Sequence, residues 1–360
     1  MFTREKTRQV MVGGKLAIGG GAPVSVQTMT KCDTHDVKAV LAQAEMLALA
    51  GVDLIRVAVP TMKDAEAIRE IKKHIPVPLC ADIHFDHRLA LTALEGGVDK
   101  LRINPGNIGD AEKTRIVVRE AQARKVPIRI GVNAGSLEKS LLAKYGHATP
   151  EAMVESALGH IRILEDLAFE DIVISLKATD VRMTIEAYRL MAEKKHYPLH
   201  VGVTEAGSPG AGTVKSAMGI GILLMEGLGD TIRVSLTAEP REEVRVGWEI
   251  LRAAGLRKRG PQVVSCPTCG RIAFDLIGRI GEIEKRIQHL ASPFTLAVMG
   301  CEVNGPGEAK DADLGIAGGG DRAALYKKGK LLRVVAFDRF VDEVVAEAEK
   351  LDAEIKGENK

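Results

Sequence analysis

Three cysteines stand close together near the end of the 360-residue chain, and they have the spacing of metal ligands. Cys266 and Cys269 form a C-x2-C pair, and Cys301 follows 32 positions after the second of them. Thiolates spaced in this way bind zinc or an iron–sulfur cluster, and the spacing alone does not separate the two. A tetrahedral zinc site requires a fourth ligand, whereas a cluster with three cysteines leaves one iron with a distinct, exchangeable position.

Two side chains are the main candidates for the fourth ligand. A zinc site would use His289, although its place in RIQHLAS is typical of a histidine at a helix end. A cluster would use Glu308, because the turn in NGPGE can fold its carboxylate back toward Cys301. Glu302 is the weaker carboxylate, since neighbouring residues of an extended segment point to opposite sides. An oxygen ligand that substrate can displace favours the cluster. The predicted ligands are Cys266, Cys269, Cys301 and Glu308.

Positively charged residues interrupt apolar runs that have the composition of buried strands. Arg56, Arg102 and Arg129 lie within such runs, and Lys177 ends another. A buried cation needs a partner of opposite charge, and the runs contain too few acids to pair with all of them. The missing negative charge then belongs to a ligand, and the arginine fork suits phosphate oxygens. We predict that these four side chains bind a phosphate or diphosphate; Arg233, in a fifth run, has either this role or a structural one.

Other polar residues follow the ends of the same runs. Glu205 ends LHVGVTE and Ser235 lies in TIRVSL. The glycine-rich stretch after Glu205 is not a nucleotide-binding P-loop, because its lysine comes two residues too late, but its backbone amides are suited to an anion. The remaining polar residues at these ends are Asp82, His84, Asn104, Asn107 and Asn133.

The elements that must position these side chains alternate regularly. Short apolar runs alternate with amphipathic stretches of helical period, which indicates a parallel sheet covered on both faces. Eight such units predict a (β/α)8 barrel, with an open doubly wound sheet as the alternative. In a barrel, the polar residues above meet at the C-terminal ends of the strands. The predicted strands are 23–29, 54–59, 79–83, 101–105, 128–133, 172–177, 199–205 and 231–236, and the predicted helices include 37–50, 63–74, 110–124, 150–166, 180–195 and 240–254.

The character of the chain changes after the basic stretch RKRGPQ, residues 257–262, which is typical of a linker. A helix over about 273–291, a strand at TLAVMG, a hairpin over 325–335 and a last helix over about 339–354 are predicted beyond it. We therefore predict two domains: a barrel over residues 1–256, which binds substrate, and a smaller α+β domain over 262–360, which holds the cluster. GGKLAIGGGAP, before the first strand, predicts hairpin turns rather than a dinucleotide site.

Composition excludes several classes of function. A net charge of +2 and an aromatic content of 3% argue against nucleic-acid binding. No run of about 18 apolar residues occurs, which argues against a membrane span. The charged first residues do not resemble a signal peptide. An odd number of cysteines, five, favours a reducing compartment and thus a cytoplasmic protein, with Cys32 and Cys80 as small buried residues.

Taken together, these motifs resemble the 4-hydroxy-3-methylbut-2-enyl diphosphate synthase family, bacterial iron–sulfur enzymes of the non-mevalonate isoprenoid pathway. The resemblance covers nearly the whole chain. It implies a (β/α)8 barrel joined to a [4Fe–4S] domain held by Cys266, Cys269, Cys301 and Glu308. It also implies a head-to-tail homodimer in which the cluster of one subunit caps the barrel of the other. The matching segments are PVSVQTMT, VPTM, ADIHFDHRLA, LRINPGNIG, IRIGVNAGSLE, LHVGVTEAG, RVSL, CPTCGR and GCEVNGPGEA.

The same resemblance implies the reaction. The substrate would be 2-C-methyl-D-erythritol 2,4-cyclodiphosphate, which is opened and dehydroxylated with two electrons. Glu205 would be the acidic catalytic residue, and reduced flavodoxin or ferredoxin would donate the electrons. The basic stretches RKRG (257–260) and KKGK (327–330) are either docking patches for such an acidic donor or ordinary solvated surface. The implied substrate-binding residues are Arg56, His84, Arg102, Arg129, Asn133, Lys177 and Ser235.

Two other classes of function stay open at this point. A sugar-phosphate aldolase or isomerase would use Lys177 as a Schiff-base lysine and the arginines as phosphate ligands, with zinc as a structural metal. A redox sensor or electron carrier without a substrate would need the cysteines alone. The second of these leaves the polar strand ends without a purpose.

Overall fold

The computed structural model describes residues 2–104, 108, 111–269, 272, 274–301, 305–319 and 321–358. The chain forms two compact units, residues 1–257 and residues 258–360. The predicted linker spans the boundary between them. In the described part of the chain, no helix has the length and apolar character that crossing a membrane requires.

The first unit alternates strands and helices after a short antiparallel hairpin. The hairpin strands are β1 (Val10–Val12) and β2 (Leu16–Ile18). The following strands are β3 (Ser25–Met29), β4 (Leu54–Val59), β5 (Leu79–Ile83), β6 (Lys100–Ile103), β7 (Ile128–Asn133), β8 (Ile172–Lys177), β9 (His200–Val201) and β10 (Thr231–Ile232). The helices are α1 (Val37–Leu49), α2 (Met62–His74), α3 (His87–Glu95), α4 (Ala111–Ala123), α5 (Lys139–Tyr145), α6 (Pro150–Glu165), α7 (Val181–Lys194), α8 (Pro209–Met225) and α9 (Pro240–Ala253).

Strands β3 to β10 form one parallel barrel. They pair in the order β8-β7-β6-β5-β4-β3-β10-β9. A parallel bridge between Ile174 and Leu199 joins the two ends, and the N–H of Ile174 donates to the carbonyl of Pro198 at 2.9 Å. The predicted (β/α)8 barrel is therefore confirmed, and the open sheet is wrong. Strands β9 and β10 are shorter than predicted: each has two residues in regular pairing, although the N–H of Arg233 still donates to the carbonyl of Val201 at 3.0 Å just beyond β10.

Local sequence signals fix where the barrel helices begin. Thr61 and Asp64 form a capping box at α2, in which each side chain bonds the backbone of the other. Thr149 caps α6 just before Pro150, whose missing N–H costs nothing at the first helical position. Asp180 accepts from the backbone N–H of Met183 at the start of α7. These caps explain why the predicted helices lie within one or two residues of the observed ones.

The β1–β2 hairpin closes the N-terminal end of the barrel. Val12 and Ile18 from the hairpin pack against Leu54 and Cys80, and all four side chains are completely buried. This confirms that Cys80 is a buried residue, whereas Cys32, predicted to be buried as well, is only half-buried. Any opening of the barrel that admits a ligand therefore lies at the opposite end, where the strands finish.

The second unit is a five-stranded sheet covered by helices. The strands are β11 (Pro261–Ser265), β12 (Phe294–Met299), β13 (Leu314–Gly319), β14 (Arg322–Lys327) and β15 (Lys330–Ala336), paired in this order. The first three are parallel, and β14 is antiparallel to both of its neighbours, so the predicted hairpin is confirmed. The helices are α10 (Leu276–Ile287), α11 (Gly305–Asp311) and α12 (Phe340–Glu358). This is the α+β architecture predicted for the region.

Candidate functional site

A group of cations converges inside the barrel. The side chains of Arg56 and Arg102 are 10% and 8% exposed, and Arg129 and Lys177 are also buried. Two carboxylates form ion pairs with members of this group, namely Asp82 on β5 and Glu243 on α9. The structure thus brings together the four side chains predicted to bind a polyanion. The complete group is Arg56, Lys100, Arg102, Arg129, Lys177 and Arg233.

Asp82 connects two of these side chains, Arg56 and Arg102. Its Oδ1 accepts from Nη1 of Arg102 at 3.0 Å, and its Oδ2 lies 3.7 Å from Nε of Arg56. His84, at the end of β5, lies with Nε2 at 2.6 Å from the same Arg102 nitrogen. Burial alone would raise the pKa of Asp82, but the charge of Arg56 and the contact with His84 outweigh it and hold the pKa well below its ordinary value. Asp82 is therefore a fixed anion that orients Arg56 and Arg102.

Several of the buried donors have no protein partner in the described part of the chain. Arg129 donates from Nη1 to Oγ of Ser175 at 2.9 Å, while its Nε and Nη2 have no acceptor. The Nε of Arg102 and the Nζ of Lys100 are also buried without an acceptor. Burial, with Arg56 and Arg102 nearby, lowers the pKa of Arg129 to about 9. Buried donors without acceptors are costly, so this interior is suited to an anionic ligand.

Two glycines make room for the cations. A Cβ added to Gly131 would lie 2.5 Å from Nε of Arg102, and one added to Gly202 would lie 2.9 Å from Nζ of Lys177. Neither position has an unusual backbone angle, so close approach alone explains the residue type. The barrel backbone is shaped around the charged side chains.

The predicted residues at the strand ends line the opening of the barrel. Glu205 has a φ of +51°, uncommon for a residue with a side chain, and its carboxylate accepts from the hydroxyl of Thr179 at 3.3 Å. The His84 side chain is 44% exposed, while Asn133 and Ser235 are half-buried. Asn104 is buried at the end of β6. Asn107 lies outside the described residues.

Sequence reasoning missed Glu243, which fixes the neighbourhood of Arg233. Its carboxylate accepts from the Thr28 hydroxyl at 2.6 Å and from the backbone N–H of Leu236 at 3.1 Å, and it lies 3.8 Å from Nε of Arg233. The signal was available, because Glu243 shares the buried face of α9 with Val244, and the buried Gly247 and Leu251 follow Glu243 at intervals of four and eight residues. Arg233 therefore faces the barrel interior and also has a structural partner, Glu243.

The cysteines lie along one edge of the second unit. Cys266 follows β11 directly and Cys301 comes two residues after β12, and these strands are parallel neighbours, so both thiols leave the same edge. The N–H of Gly300 points to the sulfur of Cys266 at 3.4 Å. No disulfide joins any two of the five cysteines, all of which lie among the described residues. We call this the cysteine edge, which comprises Cys266, Cys269, Gly300 and Cys301.

The described side chains at the cysteine edge are not gathered around a metal. Among the residues that the structure describes, no group of three or more His, Cys, Asp or Glu side chains is placed to hold an ion. Glu308 is exposed in α11, which packs on β12 and β13. Residues 270–271, 273 and 302–304, including Glu302, lie outside the description.

Topology separates two other candidates from the cysteine edge. His289 precedes β12 and Cys301 follows it, so roughly 20 Å of extended strand lies between them. The KKGK turn joins β14 to β15 where Lys327 pairs with Leu314, the first residue of β13. Both therefore lie at the other edge of the sheet. This disfavours His289 as a metal ligand and KKGK as a short route for electrons.

Comparison with known proteins identifies the family. Residues 7–248 match the GcpE TIM-barrel domain, and residues 262–350 match the GcpE protein C-terminal domain. The chain belongs to the GcpE family. It is 57% identical to a protein of Geobacter sulfurreducens named 4-hydroxy-3-methylbut-2-en-1-yl diphosphate synthase (flavodoxin), covering 98% of this chain and 99% of that one. A protein of Symbiobacterium thermophilum with the same name is 57% identical over 99% of this chain and 96% of its own length.

More distant likenesses concern the barrel alone. A dihydropteroate synthase from Vibrio fischeri ES114 covers 69% of this chain and 97% of its own, with 15% identity and a TM-score of 0.47. A likeness at this level carries no information on substrate or chemistry.

Proposed function

We propose that this chain reduces 2-C-methyl-D-erythritol 2,4-cyclodiphosphate to 4-hydroxy-3-methylbut-2-enyl diphosphate, a step of isoprenoid precursor synthesis. The ring opens, one hydroxyl leaves as water, and two electrons are consumed one at a time with uptake of a proton. The observation that carries the proposal is the excess of buried cations in the barrel, in a chain 57% identical to relatives that bear this enzyme's name.

The barrel cations account for binding. Arg56, Arg102, Arg129 and Lys177 would hold the diphosphate. Buried N–H groups of Arg102 and Arg129 have no acceptor among the described residues, and phosphate oxygens would supply them. His84, Asn133 and Ser235 would contact the substrate at the opening. Ring opening leaves the diphosphate with one more negative charge, so a fixed cationic site stabilises the transition state more than the ground state.

Glu205 is the proposed proton donor for the departing hydroxyl. It lies four residues after the end of β9, in an uncommon backbone conformation. Strained backbone often marks a functional residue, because the surrounding structure must hold it in place. The hydrogen bond from the Thr179 hydroxyl orients its carboxyl group.

The donors in the second unit fit an iron–sulfur cluster by their chemistry. Cys266 and Cys301 leave adjacent strands at one edge, Cys269 follows Cys266 closely, and none of the three is in a disulfide. Glu308 would be the fourth, weaker ligand. A [4Fe–4S] cluster held by these residues would supply the two electrons.

Anaerobic turnover of the cyclodiphosphate with a chemical reductant tests the proposal. We expect brown protein absorbing near 400 nm with about four irons per chain, and formation of hydroxymethylbutenyl diphosphate. Colourless protein with one zinc and no reaction of the cyclodiphosphate would instead favour the aldolase alternative.

Some partners of this reaction stay predictions. Relatives carry flavodoxin in their names, and we propose flavodoxin, or alternatively ferredoxin, as the electron donor of this chain. The head-to-tail homodimer, the cytoplasmic location and the absence of nucleic-acid and membrane partners rest on the sequence arguments above.

A further inference from the structure

Lys177 has an unusual hydrogen-bond partner inside the barrel. Its Nζ lies 3.3 Å from Nε2 of His200, which is completely buried on the neighbouring strand β9. His200 is not among the predicted site residues. The contact is notable because a buried ammonium group is normally paired with a carboxylate rather than with a second base.

The Lys177–His200 contact is held in place from outside the barrel. Tyr188 on α7 accepts from the backbone N–H of Leu176 at 3.0 Å and donates to the carbonyl of His200 at 2.5 Å. Tyr188 is completely buried, so this bridge fixes β8 against β9. Gly202 then leaves the space that the Lys177 ammonium occupies. The pair is therefore a built feature of the barrel wall.

The strongest electrostatic neighbours of the pair are cations on several strands. Burial and these neighbours together lower the pKa of Lys177 and the pKa of His200 well below their ordinary values. Two positive charges at Lys177 and His200 would be strongly disfavoured. The groups facing Lys177 are Arg129, Arg233, Arg56 and Arg102, and those facing His200 are Lys177, Arg129, Lys100 and Arg56.

We infer that His200 is a positioning residue for Lys177, and that Lys177 gains its proton when a diphosphate enters the barrel. Before a ligand binds, the Lys177 amine and the His200 imidazole together carry at most one positive charge. A diphosphate adds negative charge beside Nζ, which favours the ammonium form. Neutral His200 then accepts a hydrogen bond from that ammonium at Nε2 and directs the remaining N–H groups toward the ligand. This inference rests on the proposed function.

Proton uptake on binding tests the inference independently of turnover. The cyclodiphosphate is titrated into the anaerobic holoenzyme without reductant, in buffers of equal pH and different ionisation enthalpy. We expect uptake of up to about one proton per site by Lys177, and this uptake should fall toward zero as the pH is lowered and Lys177 becomes protonated before the ligand binds. Absence of binding would count against the proposed function itself, whereas binding without proton uptake would overturn the inference alone.

Variants assign the proton to a residue. Lys177→Arg replaces the lysine by a group that stays protonated, so whatever binding it retains should occur without the Lys177-linked proton uptake. Lys100→Met is the matched control, because Lys100 is also buried without an acceptor and its pKa is lowered to about 7, mainly by burial. Uptake that persists in Lys177→Arg but vanishes in Lys100→Met would overturn the assignment.

The role of His200 is separated from simple packing by two substitutions. His200→Gln keeps an acceptor, and we expect Kd within about 3-fold, whereas His200→Leu should raise Kd about 10- to 100-fold. The pH dependence of Kd should shift in His200→Leu because Lys177 has lost its acceptor. Equal affinity and equal pH profiles in both variants, at wild-type helical content, would show that His200 does not position Lys177.

Discussion

The barrel interior and the cysteine edge hold functional groups in opposite ways. In the barrel, Arg102 and Arg129 are nearly inaccessible, and glycines, Asp82 and Ser175 fix them before any ligand arrives. At the cysteine edge, Cys269 is exposed and the described side chains are not gathered around a centre. The barrel site is preorganised by packing, whereas the cysteine edge brings its donors to one place by strand order.

This difference has a physical cause. Buried guanidinium groups must be positioned by the fold, since the cost of burying them unpaired is large. Thiols at strand ends do not have to be ordered before the metal binds, because metal binding itself supplies the free energy that orders the ligands. The two sites should therefore respond differently to mutation: barrel changes alter substrate affinity, and changes at the cysteine edge alter the cluster and turnover.

The largest effect should come from Cys301→Ser. Losing one of three thiols should remove the stable cluster, and turnover should fall to the background rate. Cyclodiphosphate affinity should remain if the barrel is independently organised. Iron content, absorbance near 400 nm and Kd measure these effects. Cys32→Ser is the matched control, because Cys32 belongs to the barrel unit and should keep both the iron and the activity. Loss of binding in Cys301→Ser would contradict the comparison.

Glu205→Gln should separate chemistry from binding within the barrel unit. Without an acidic proton the variant should lose about 10²- to 10⁴-fold in kcat, while Kd for the cyclodiphosphate stays within about 3-fold. Steady-state turnover measures kcat, and equilibrium binding measures Kd. The exposed Glu193→Gln on α7 is the control for a general change of charge. An unchanged kcat would remove Glu205 from the proposed proton transfer.

Gly131→Ala tests whether packing positions the arginines. Its Cβ would meet Nε and Nη2 of Arg102 at 2.5 and 2.9 Å, so the guanidinium that Asp82 orients must shift from its present position. We expect Kd to rise about 10- to 100-fold, with the cluster absorbance unchanged. Gly135→Ala, where an added Cβ meets nothing within 4 Å, should bind normally. Wild-type affinity in Gly131→Ala would show that Arg102 is not fixed by the backbone.

Sequence alone predicts the barrel and its interior arginines, but not every residue that forms the barrel site. Alternating apolar runs give the barrel, and arginines inside those runs reveal the interior cations, because charge in a buried strand is conspicuous. His200 carried a similar signal inside LHVGVTE, but histidine is less conspicuous than arginine there. Glu243 looks like an ordinary exposed helix residue unless its position on the buried face of α9 is taken into account. Gly131 and Gly202 could not be interpreted, since the close approaches that require them connect different strands.

The smallest effect concerns the contact that links β3 to α9. Thr28→Val removes the hydroxyl that donates to Glu243 at 2.6 Å, but Glu243 keeps the Leu236 N–H and Arg233 nearby. We expect a loss of about 1–3 kcal/mol in the free energy of unfolding of the barrel, because one acceptor of a buried carboxylate is left unpaired. Thr28→Ser keeps the hydroxyl and should lose less than the valine variant.

Denaturant unfolding, followed by Trp248 fluorescence on α9, reports the barrel, while absorbance near 400 nm reports the cluster. Because the barrel is organised by its own packing, the unfolding midpoint should move with iron content unchanged in the native protein. An equal midpoint in Thr28→Val and Thr28→Ser would show that the hydrogen bond to Glu243 contributes nothing to the barrel.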